Sequence, residues 1–258
     1  VSGASGIAVY LEKSSINSFG GAIKIAGETV SNWGIVSLGD TTIDSGSGTI
    51  ELDARVSGTA WGSTAILFGL HANNYAATVN ISSSAAGEAI IIRGTGGTAE
   101  AVHVSGTVNI TSTGGGSVSI NGNASGSGEG IIAGGYYDGI LNVYANSGDI
   151  TINGNANGVY VVDNYAAYNA ITSKINIGQG GSVASSTSNV FIVGNTIALA
   201  AGGMAINTSG QVIIQPSGTS FASALSLPAS SITLSKSISG LTLGKAGNTA
   251  NITIGSSA

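Results

Sequence analysis

A short phrase of the form Gly-x-Ile-x-Ile-x-Gly recurs along the chain with small variations. Its four copies begin 39, 29 and 32 residues apart: Gly48-Thr-Ile-Glu-Leu-Asp-Ala54, Gly87-Glu-Ala-Ile-Ile-Ile-Arg-Gly94, Gly116-Ser-Val-Ser-Ile-Asn-Gly122 and Gly148-Asp-Ile-Thr-Ile-Asn-Gly154. Apolar and polar residues alternate in each copy, which is the period of a half-buried β-strand. Recurrence at this spacing is typical of repeat proteins. We therefore expect a stack of similar coils whose function lies on a long surface.

Composition favours an ordered all-β chain. The 258 residues include 42 glycines and only 7% charged residues, which alone would suit a disordered linker. However, 42% of the residues are hydrophobic, and Ile and Val stand in evenly spaced alternating runs, which argues for order. Helices are not expected, because glycine interrupts nearly every stretch and no sustained 3.6-residue apolar pattern exists.

Charge and cysteine content exclude several classes of function. Seven basic residues against twelve acidic ones give a net charge of -5, so the basic footprint of a nucleic-acid-binding protein is missing. The chain has no cysteine, which excludes disulfides and thiolate-bound metal. The apolar stretch Val190 to Ile206 is broken by Asn195 and by Gly202-Gly203, so we expect two buried strands there and no membrane span.

Apolar runs between the phrases complete each coil and predict three strands per coil. The four predicted coils are Thr49–Asp53 with Ala65–Phe68 and Thr78–Ser82, Ala89–Ile92 with Ala101–Val104 and Thr107–Thr111, Ser117–Ile120 with Gly130–Ala133 and Ile140–Tyr144, and Ile150–Asn153 with Val159–Val162 and Lys174–Ile177. Three strands per coil predict a three-faced parallel β-helix of about nine coils. We expect one solenoid domain over 1–258, with less regular coils at 1–47 and 183–258.

Equivalent positions in successive coils should stack. The two expected interior columns are Ile50, Ile90, Val118, Ile150 and Leu52, Ile92, Ile120, Ile152. Asparagines at equal offsets, Asn121 with Asn153 and Asn123 with Asn155, are expected to form amide ladders.

Three longer phrases share the repeat pattern: Leu38-Gly-Asp-Thr-Thr-Ile-Asp-Ser-Gly-Ser-Gly-Thr-Ile-Glu-Leu-Asp53, Ser147-Gly-Asp-Ile-Thr-Ile-Asn153 and Ser239-Gly-Leu-Thr-Leu-Gly-Lys-Ala-Gly-Asn-Thr-Ala-Asn-Ile-Thr-Ile254. They resemble the repeat region of filamentous-haemagglutinin-like bacterial exoproteins, many of which are exported by two-partner secretion. The resemblance covers most of the chain, and it lies in the low-complexity pattern of the repeats and not in a diagnostic motif. The family's amino-terminal secretion domain is not recognisable. It implies a right-handed β-helical shaft in an extracellular adhesin, biofilm component or toxin-delivery stalk. No site residue carries over, because shaft repeats contain no catalytic motif.

Carboxylates and histidines provide little basis for catalysis or metal binding. Glu51 and Asp53, with Arg55 beside them, are the densest charged group, and we interpret them as an exposed, partly paired charge row and not as the two acids of a glycosidase. The two histidines, His71 and His103, are isolated in sequence and are expected in turns or at the surface. Three aspartates in turn-like settings are the candidate calcium ligands: Asp138, Asp149 and Asp163. The calcium-binding nonapeptide of repeat proteins is absent, so no metal or cofactor is expected.

Tyrosines cluster in one part of the chain. Six of the eight lie within 33 residues: Tyr136, Tyr137, Tyr144, Tyr160, Tyr165 and Tyr168. A tyrosine ring offers a flat apolar face and a hydroxyl, which suits contacts with sugars and proteins. We favour structural roles for some of them, closing a corner of the helix or filling a wider loop, but any contact surface is expected to be formed by these residues.

We interpret the chain as a non-catalytic shaft, fibre or adhesin segment of a bacterial surface or secreted protein. A carbohydrate-active β-helix enzyme and an ice-binding solenoid are the alternatives, although the threonines that ice binding would need are scattered. The chain starts and stops in repeat-like sequence without a secretion signal, so we expect a mature or excised piece of a longer protein. Expected partners are another copy stacked end to end, or glycans and proteins of a host or neighbouring cell.

Overall fold

The computed structural model describes residues 6–58, 62–70, 77–96, 98, 100–124, 126–135, 138–162, 173–178, 186–200, 202–227 and 231–254. These residues form short β-strands and a single 3₁₀ turn, and no helix among them is long and apolar enough to cross a membrane. The strands in chain order are β1 (Val9–Glu12), β2 (Ser15–Asn17), β3 (Ile23–Thr29), β4 (Trp33–Leu38), β5 (Thr41–Asp44), β6 (Ile50–Val56), β7 (Thr64–Leu70), β8 (Thr78–Ser83), β9 (Glu88–Gly96), β10 (Glu100–Val104), β11 (Thr107–Ser112), β12 (Ser117–Asn123), β13 (Glu129–Gly134), β14 (Ile140–Ala145), β15 (Ile150–Asn153), β16 (Val159–Val162), β17 (Lys174–Ile177), β18 (Val190–Val193), β19 (Ile197–Leu199), β20 (Met204–Ile206), β21 (Gln211–Gln215), β22 (Leu225–Leu227), β23 (Ile232–Leu234), β24 (Gly240–Leu243) and β25 (Ile252–Ile254).

Every third strand joins the same sheet, and the sheets are parallel. Face 1 has the order β1-β4-β7-β10-β13-β16-β19, face 2 the order β2-β5-β8-β11-β14-β17-β20-β23, and face 3 the order β3-β6-β9-β12-β15-β18-β21-β24. Strands β22 and β25 pair with each other in a separate two-stranded sheet. One turn of the chain therefore contributes one strand to each face, which confirms the three-faced parallel β-helix. Within the described ranges, β3–β20 make six complete coils with one strand on each face, and the strands at the two ends, β1–β2 and β21–β25, make incomplete coils.

The interior of the helix is a set of aliphatic columns. Ile50 pairs with Ile90, Ile90 with Val118, and Val118 with Ile150, as the sequence predicted. The second predicted column, from Leu52 to Ile152, has the same register, and both columns are buried. Burying such side chains is the main favourable term in folding, so these columns stabilise the stack.

A column of buried serines closes the corner between faces 2 and 3. The hydroxyls of Ser45 and Ser83 donate to the Gly48 carbonyl over 2.6 and 2.7 Å, and Ser112 donates to the Gly116 carbonyl over 2.7 Å. Each hydroxyl satisfies a carbonyl oxygen in the turn where the chain leaves one sheet for the next. Serine therefore recurs before the glycine that begins three of the four phrases, because a buried carbonyl without a donor is costly, whereas Ala145 takes this position before Gly148.

Glycine is required at the opposite corner, between faces 3 and 1. Gly94, Gly122 and Gly154 end three of the repeated phrases, and Gly94 and Gly122 are register partners. A Cβ at these positions would collide with the carbonyl oxygens of Ala101, Gly130 and Gly158, respectively, which are backbone atoms that cannot rotate away. The phrase ends in glycine because two backbone segments approach closely there.

Candidate functional site

The predicted tyrosine surface is only partly described by the structure. Strand alternation places Tyr144 on the outer side of face 2 with Asn142, but the ring is 1% exposed because the fold covers it. Its hydroxyl donates to Asn146 Oδ1 over 3.4 Å. Tyr144 therefore does not present its ring to a partner. Tyr160 is half-buried on β16 and pairs in register with Ile132 and Ala198.

The other four candidates, Tyr136, Tyr137, Tyr165 and Tyr168, lie outside the described residues. A contact surface formed by Tyr160 and these four stays a prediction.

The charge row around Glu51 spans three coils of face 3. Glu51 Oε2 lies 3.1 Å from Lys24 Nζ, and Glu51 Oε1 lies 2.6 Å from Arg93 Nη1. The hydrogen bond with Lys24, together with the charges of Lys24 and Arg93, lowers the pKa of Glu51 against the opposing effect of burial. Arg93 is also the register partner of Asp53. A carboxylate held by two cations is a poor general acid, so the row favours the charge-pairing interpretation.

The predicted metal-ligand candidates do not converge among the described residues. Asp138 is buried, whereas Asp149 is exposed and accepts a hydrogen bond from Asn189 Nδ2 over 3.1 Å. His71 and Asp163 lie outside the described ranges. Within those ranges, no group of three or more His, Cys, Asp or Glu residues has a geometry that could hold a metal ion.

A hydrogen-bonded group on face 1 joins three successive coils, and we call it the His103 cluster. It consists of Thr64 at the start of β7, Glu100 and His103 on β10, Ser105 directly after β10, and Glu129 and Gly134 at the two ends of β13. Thr64 Oγ1 donates to Glu100 Oε2 over 2.7 Å, and His103 Nδ1 lies 3.5 Å from the same oxygen. The other ring nitrogen, Nε2, lies 2.8 Å from the Gly134 carbonyl oxygen and 2.9 Å from Ser105 Oγ. The cluster thus links β7, β10 and β13 through side chains.

The two carboxyl groups of the cluster differ in their electrostatic surroundings. Burial acts to raise the pKa of Glu100, but the hydrogen bond from His103, the His103 charge and the Thr64 hydrogen bond outweigh it and lower that pKa. Burial raises the pKa of Glu129, and the negative charge of Glu100 adds to this effect against a backbone hydrogen bond and the His103 charge. Glu100 and Glu129 are register partners on neighbouring strands, which explains their repulsion.

The cluster has the residue types of a Ser-His-acid relay, but its geometry does not activate a nucleophile. The Gly134 carbonyl can only accept a hydrogen bond, so His103 Nε2 must carry a hydrogen and cannot take the proton of Ser105. Ser105 is also only 2% exposed. In this arrangement the side-chain hydrogen bonds of Thr64 and His103 connect β7 to β10 and β10 to β13.

Apolar residues surround His103 on the outer side of face 1. Val36, Leu67, His103 and Ile132 are successive register partners, and strand alternation turns them away from the core. Val36, Leu67 and Ile132 are nevertheless buried. Face 1 therefore carries a second, outer apolar layer, and the His103 cluster lies within it, partly shielded from water.

An amide ladder runs along face 2. Asn109 Nδ2 donates to Asn80 Oδ1 over 2.9 Å, Asn142 Nδ2 to Asn109 Oδ1 over 2.8 Å, and Asn176 Nδ2 to Asn142 Oδ1 over 2.8 Å. These asparagines were not predicted to form a ladder, although each lies between two apolar strand residues. Such a ladder satisfies one donor and one acceptor per coil on the outer side of the sheet.

The two predicted asparagine pairs on face 3 have different outcomes. Asn153 Nδ2 donates to Asn121 Oδ1 over 3.3 Å, so this pair is confirmed. The pairing of Asn123 with Asn155 is wrong. Asn155 begins a 3₁₀ turn, Asn155–Asn157, and its Nδ2 donates to the Gly122 carbonyl over 3.2 Å. The turn pulls this asparagine out of the strand register.

We expect the amide ladder to be energetically coupled. In a double-mutant cycle of Asn109→Ala and Asn142→Ala, the coupling free energy should be about 0.5–1.5 kcal/mol, because the two amides share a hydrogen bond. Urea unfolding of the four variants measures it. A matched cycle of Asn109→Ala with Asn153→Ala, on another face, should be additive within about 0.5 kcal/mol. Additivity in both cycles would mean that the ladder contributes no pairwise stability.

Comparison with models of known protein families, with curated protein sequences and with solved structures finds no match for this chain.

Proposed function

We propose that the chain is a non-catalytic shaft, fibre or adhesin segment of an extracellular bacterial protein. The observation that carries the proposal is the uninterrupted parallel stacking of face 2 and face 3 through eight strands each. In such a stack the backbone hydrogen bonds lie along the long axis, and many of them share an axial load. The bacterial and extracellular setting rests on the resemblance of the repeats to filamentous-haemagglutinin-like exoproteins.

The site geometry supports this proposal over the two alternatives. Glu51 is held in ion pairs, and His103 Nε2 faces a carbonyl, so neither group is poised for the acid-base chemistry of a carbohydrate-active enzyme. An ice-binding face would need stacked threonines. On the described part of face 2, Thr78 and Thr107 are register partners, but Ile140 and Lys174 continue that row.

Another copy of the chain is the proposed partner for assembly. The large apolar side chains that are exposed among the described residues lie in the first two coils and in the last one: Ile7, Tyr10, Phe19, Val30, Leu241 and Ile254. Phe19 is 89% exposed. Because all sheets are parallel, head-to-tail stacking of copies would bring strands of like direction together. Glycans or proteins that contact the predicted tyrosine surface are the proposed partners for adhesion.

Electron microscopy of the purified chain at neutral pH tests the assembly. We expect straight fibres of constant width with an axial repeat of about 45 Å, which is nine coils at about 4.8 Å each. Compact particles without an axial repeat at every concentration would contradict end-to-end stacking. Release of reducing sugar ends from polysaccharides, lost in Glu51→Gln, would contradict the non-catalytic proposal.

A further inference from the structure

We propose that copies of this chain stack through one register-matched junction, in which β23 and β24 of one copy pair with β2 and β3 of the next. This junction rests on the proposed end-to-end assembly and adds to it the strands, the register and the polarity of the contact. It follows from three features of the described coils. These are strand edges at both ends, interior columns that run the length of the stack, and corners of equal length.

The outermost strands of faces 2 and 3 each pair on one side only among the residues that the structure describes. On face 2, β2 pairs with β5 and β23 with β20. On face 3, β24 pairs with β21, and the stretch from Ile23 to Ala26 of β3 pairs with β6. Such edges offer backbone N–H and C=O groups to a further strand. All pairs in both faces are parallel, so head-to-tail stacking is the arrangement that adds a strand in the same direction.

Two interior columns of face 3 run through all eight of its strands. One extends from Ile23 to Leu241 and the other from Ile25 to Leu243, and each member is the register partner of the next. Burial falls at the carboxy-terminal end, where Leu241 is 39% exposed, whereas Ile120 in the middle is 1% exposed. Stacking Leu241 on Ile23 and Leu243 on Ile25 of the next copy would bury these side chains as the inner coils do.

The corner between faces 2 and 3 has the same length at both ends of the stack. A column on face 2 runs through its eight strands from Ile16 to Leu234. Ile23 follows Ile16 by seven positions, and Leu241 follows Leu234 by the same seven positions. The equivalent distance is thirteen positions between the columns of β17 and β18, so equality is not general. Placing Leu234 on Ile16 therefore also places Leu241 on Ile23, and one register continues both faces.

Charge is segregated along the axis in a way that suits this polarity. All twelve acidic residues lie at or before Asp163, and the charged residues after it are Lys174, Lys236 and Lys245. Residues 6–58 carry six acidic and three basic side chains. Lys236 and Lys245 follow β23 and β24 by two positions each. Head-to-tail contact therefore brings opposite charges together, whereas contact between two like ends brings like charges together.

Disulfide trapping tests the register, because the chain has no cysteine of its own. Ser15 on β2 and Thr233 on β23 are exposed, flank the face 2 column, and become partners across the junction. Partners on neighbouring strands are about 4.8 Å apart, within the Cα separation of about 4.4–6.8 Å that a disulfide requires. When Ser15→Cys and Thr233→Cys proteins are mixed with oxidised glutathione, we expect a covalent dimer on a non-reducing gel.

Two controls separate this register from other contacts. Asn17→Cys mixed with Thr233→Cys is the shifted pair, because Asn17 is also exposed on β2 but lies two residues further along. Its diagonal separation of about 7–8 Å should make the matched pair cross-link about fivefold faster or more. Ser15→Cys alone should form little dimer, since sideways or head-to-head contact is required to join two copies of it.

Charge reversal tests the polarity of the junction. Lys236→Glu in the Thr233→Cys protein should slow matched cross-linking about threefold or more at low salt, because it places a negative charge against the acidic end of the next copy. Lys174→Glu makes the same change of charge on β17, in the middle of face 2, and should change the rate less than about 1.5-fold. Equal rates for the two variants would overturn the electrostatic part of the junction.

The outcomes distinguish this junction from the proposed assembly as a whole. A matched pair that cross-links no faster than the shifted pair would overturn the register, as would dimerisation of Ser15→Cys alone at the rate of the mixture. Fibres in the electron microscope together with either result would overturn this junction alone. Absence of both fibres and cross-links would overturn the end-to-end assembly as well.

Discussion

Replacing Ile120 with alanine is expected to lower the free energy of unfolding by about 2–5 kcal/mol. Ile120 is 1% exposed and lies between its register partners Ile92 and Ile152 in the interior column of face 3. The cavity cannot collapse easily, because the hydrogen bonds of β9, β12 and β15 fix the spacing of the coils. Urea unfolding followed by far-UV circular dichroism measures the loss.

A graded pair of controls separates the cavity from other effects. Ile120→Val removes one methyl group and should cost about 0.5–1.5 kcal/mol. Thr151→Ala changes an outward position on the next strand and should cost less than about 1 kcal/mol. If Ile120→Ala were no more destabilising than Thr151→Ala, the interior column would not be the source of stability.

The central coils were predictable because strand and turn signals there are local. Each phrase alternates apolar and polar residues, so the inward set, such as Ile120 and Ile152, follows from the period of the strand alone. Register across coils followed as well, because a slip of one residue would turn a whole apolar set outward. The twelve predicted strands from β6 to β17 are therefore found where the alternation is strongest.

The outer side of the helix was less predictable, because burial there depends on what covers a strand. Alternation alone places Tyr144 at the surface, yet the fold covers it. Predicting the ladder from Asn80 to Asn176 would have required the exact register of face 2. The sequence alone does not distinguish outward asparagines that stack from those that do not. The His103 cluster also depends on the corner after β13, where the Gly134 carbonyl meets a ring from the preceding coil.

Gly122→Ala is the second large expected effect, a loss of about 1–3 kcal/mol or more in the free energy of unfolding. The added methyl group would collide with the Gly130 carbonyl at the corner between faces 3 and 1. The methyl group is attached directly to the backbone of β12, and the carbonyl belongs to the backbone of β13. The collision can therefore be relieved only by shifting β12 or β13 out of register with their neighbours. The same urea unfolding measurement reports the loss.

Gly87→Ala is the matched control, because a Cβ at Gly87 would meet no atom within 4 Å and the glycine has no positive φ. Its stability should stay within about 0.5 kcal/mol of the unmodified protein. Ala54, the register partner of Gly94, shows that the glycine column accepts a methyl group in one coil. The loss at Gly122 must therefore come from its distance to the facing carbonyl and not from its place in the column. Equal stabilities of Gly122→Ala and Gly87→Ala would mean that this corner accommodates a methyl group without cost. The close approach would then not be what selects glycine at the end of the phrase.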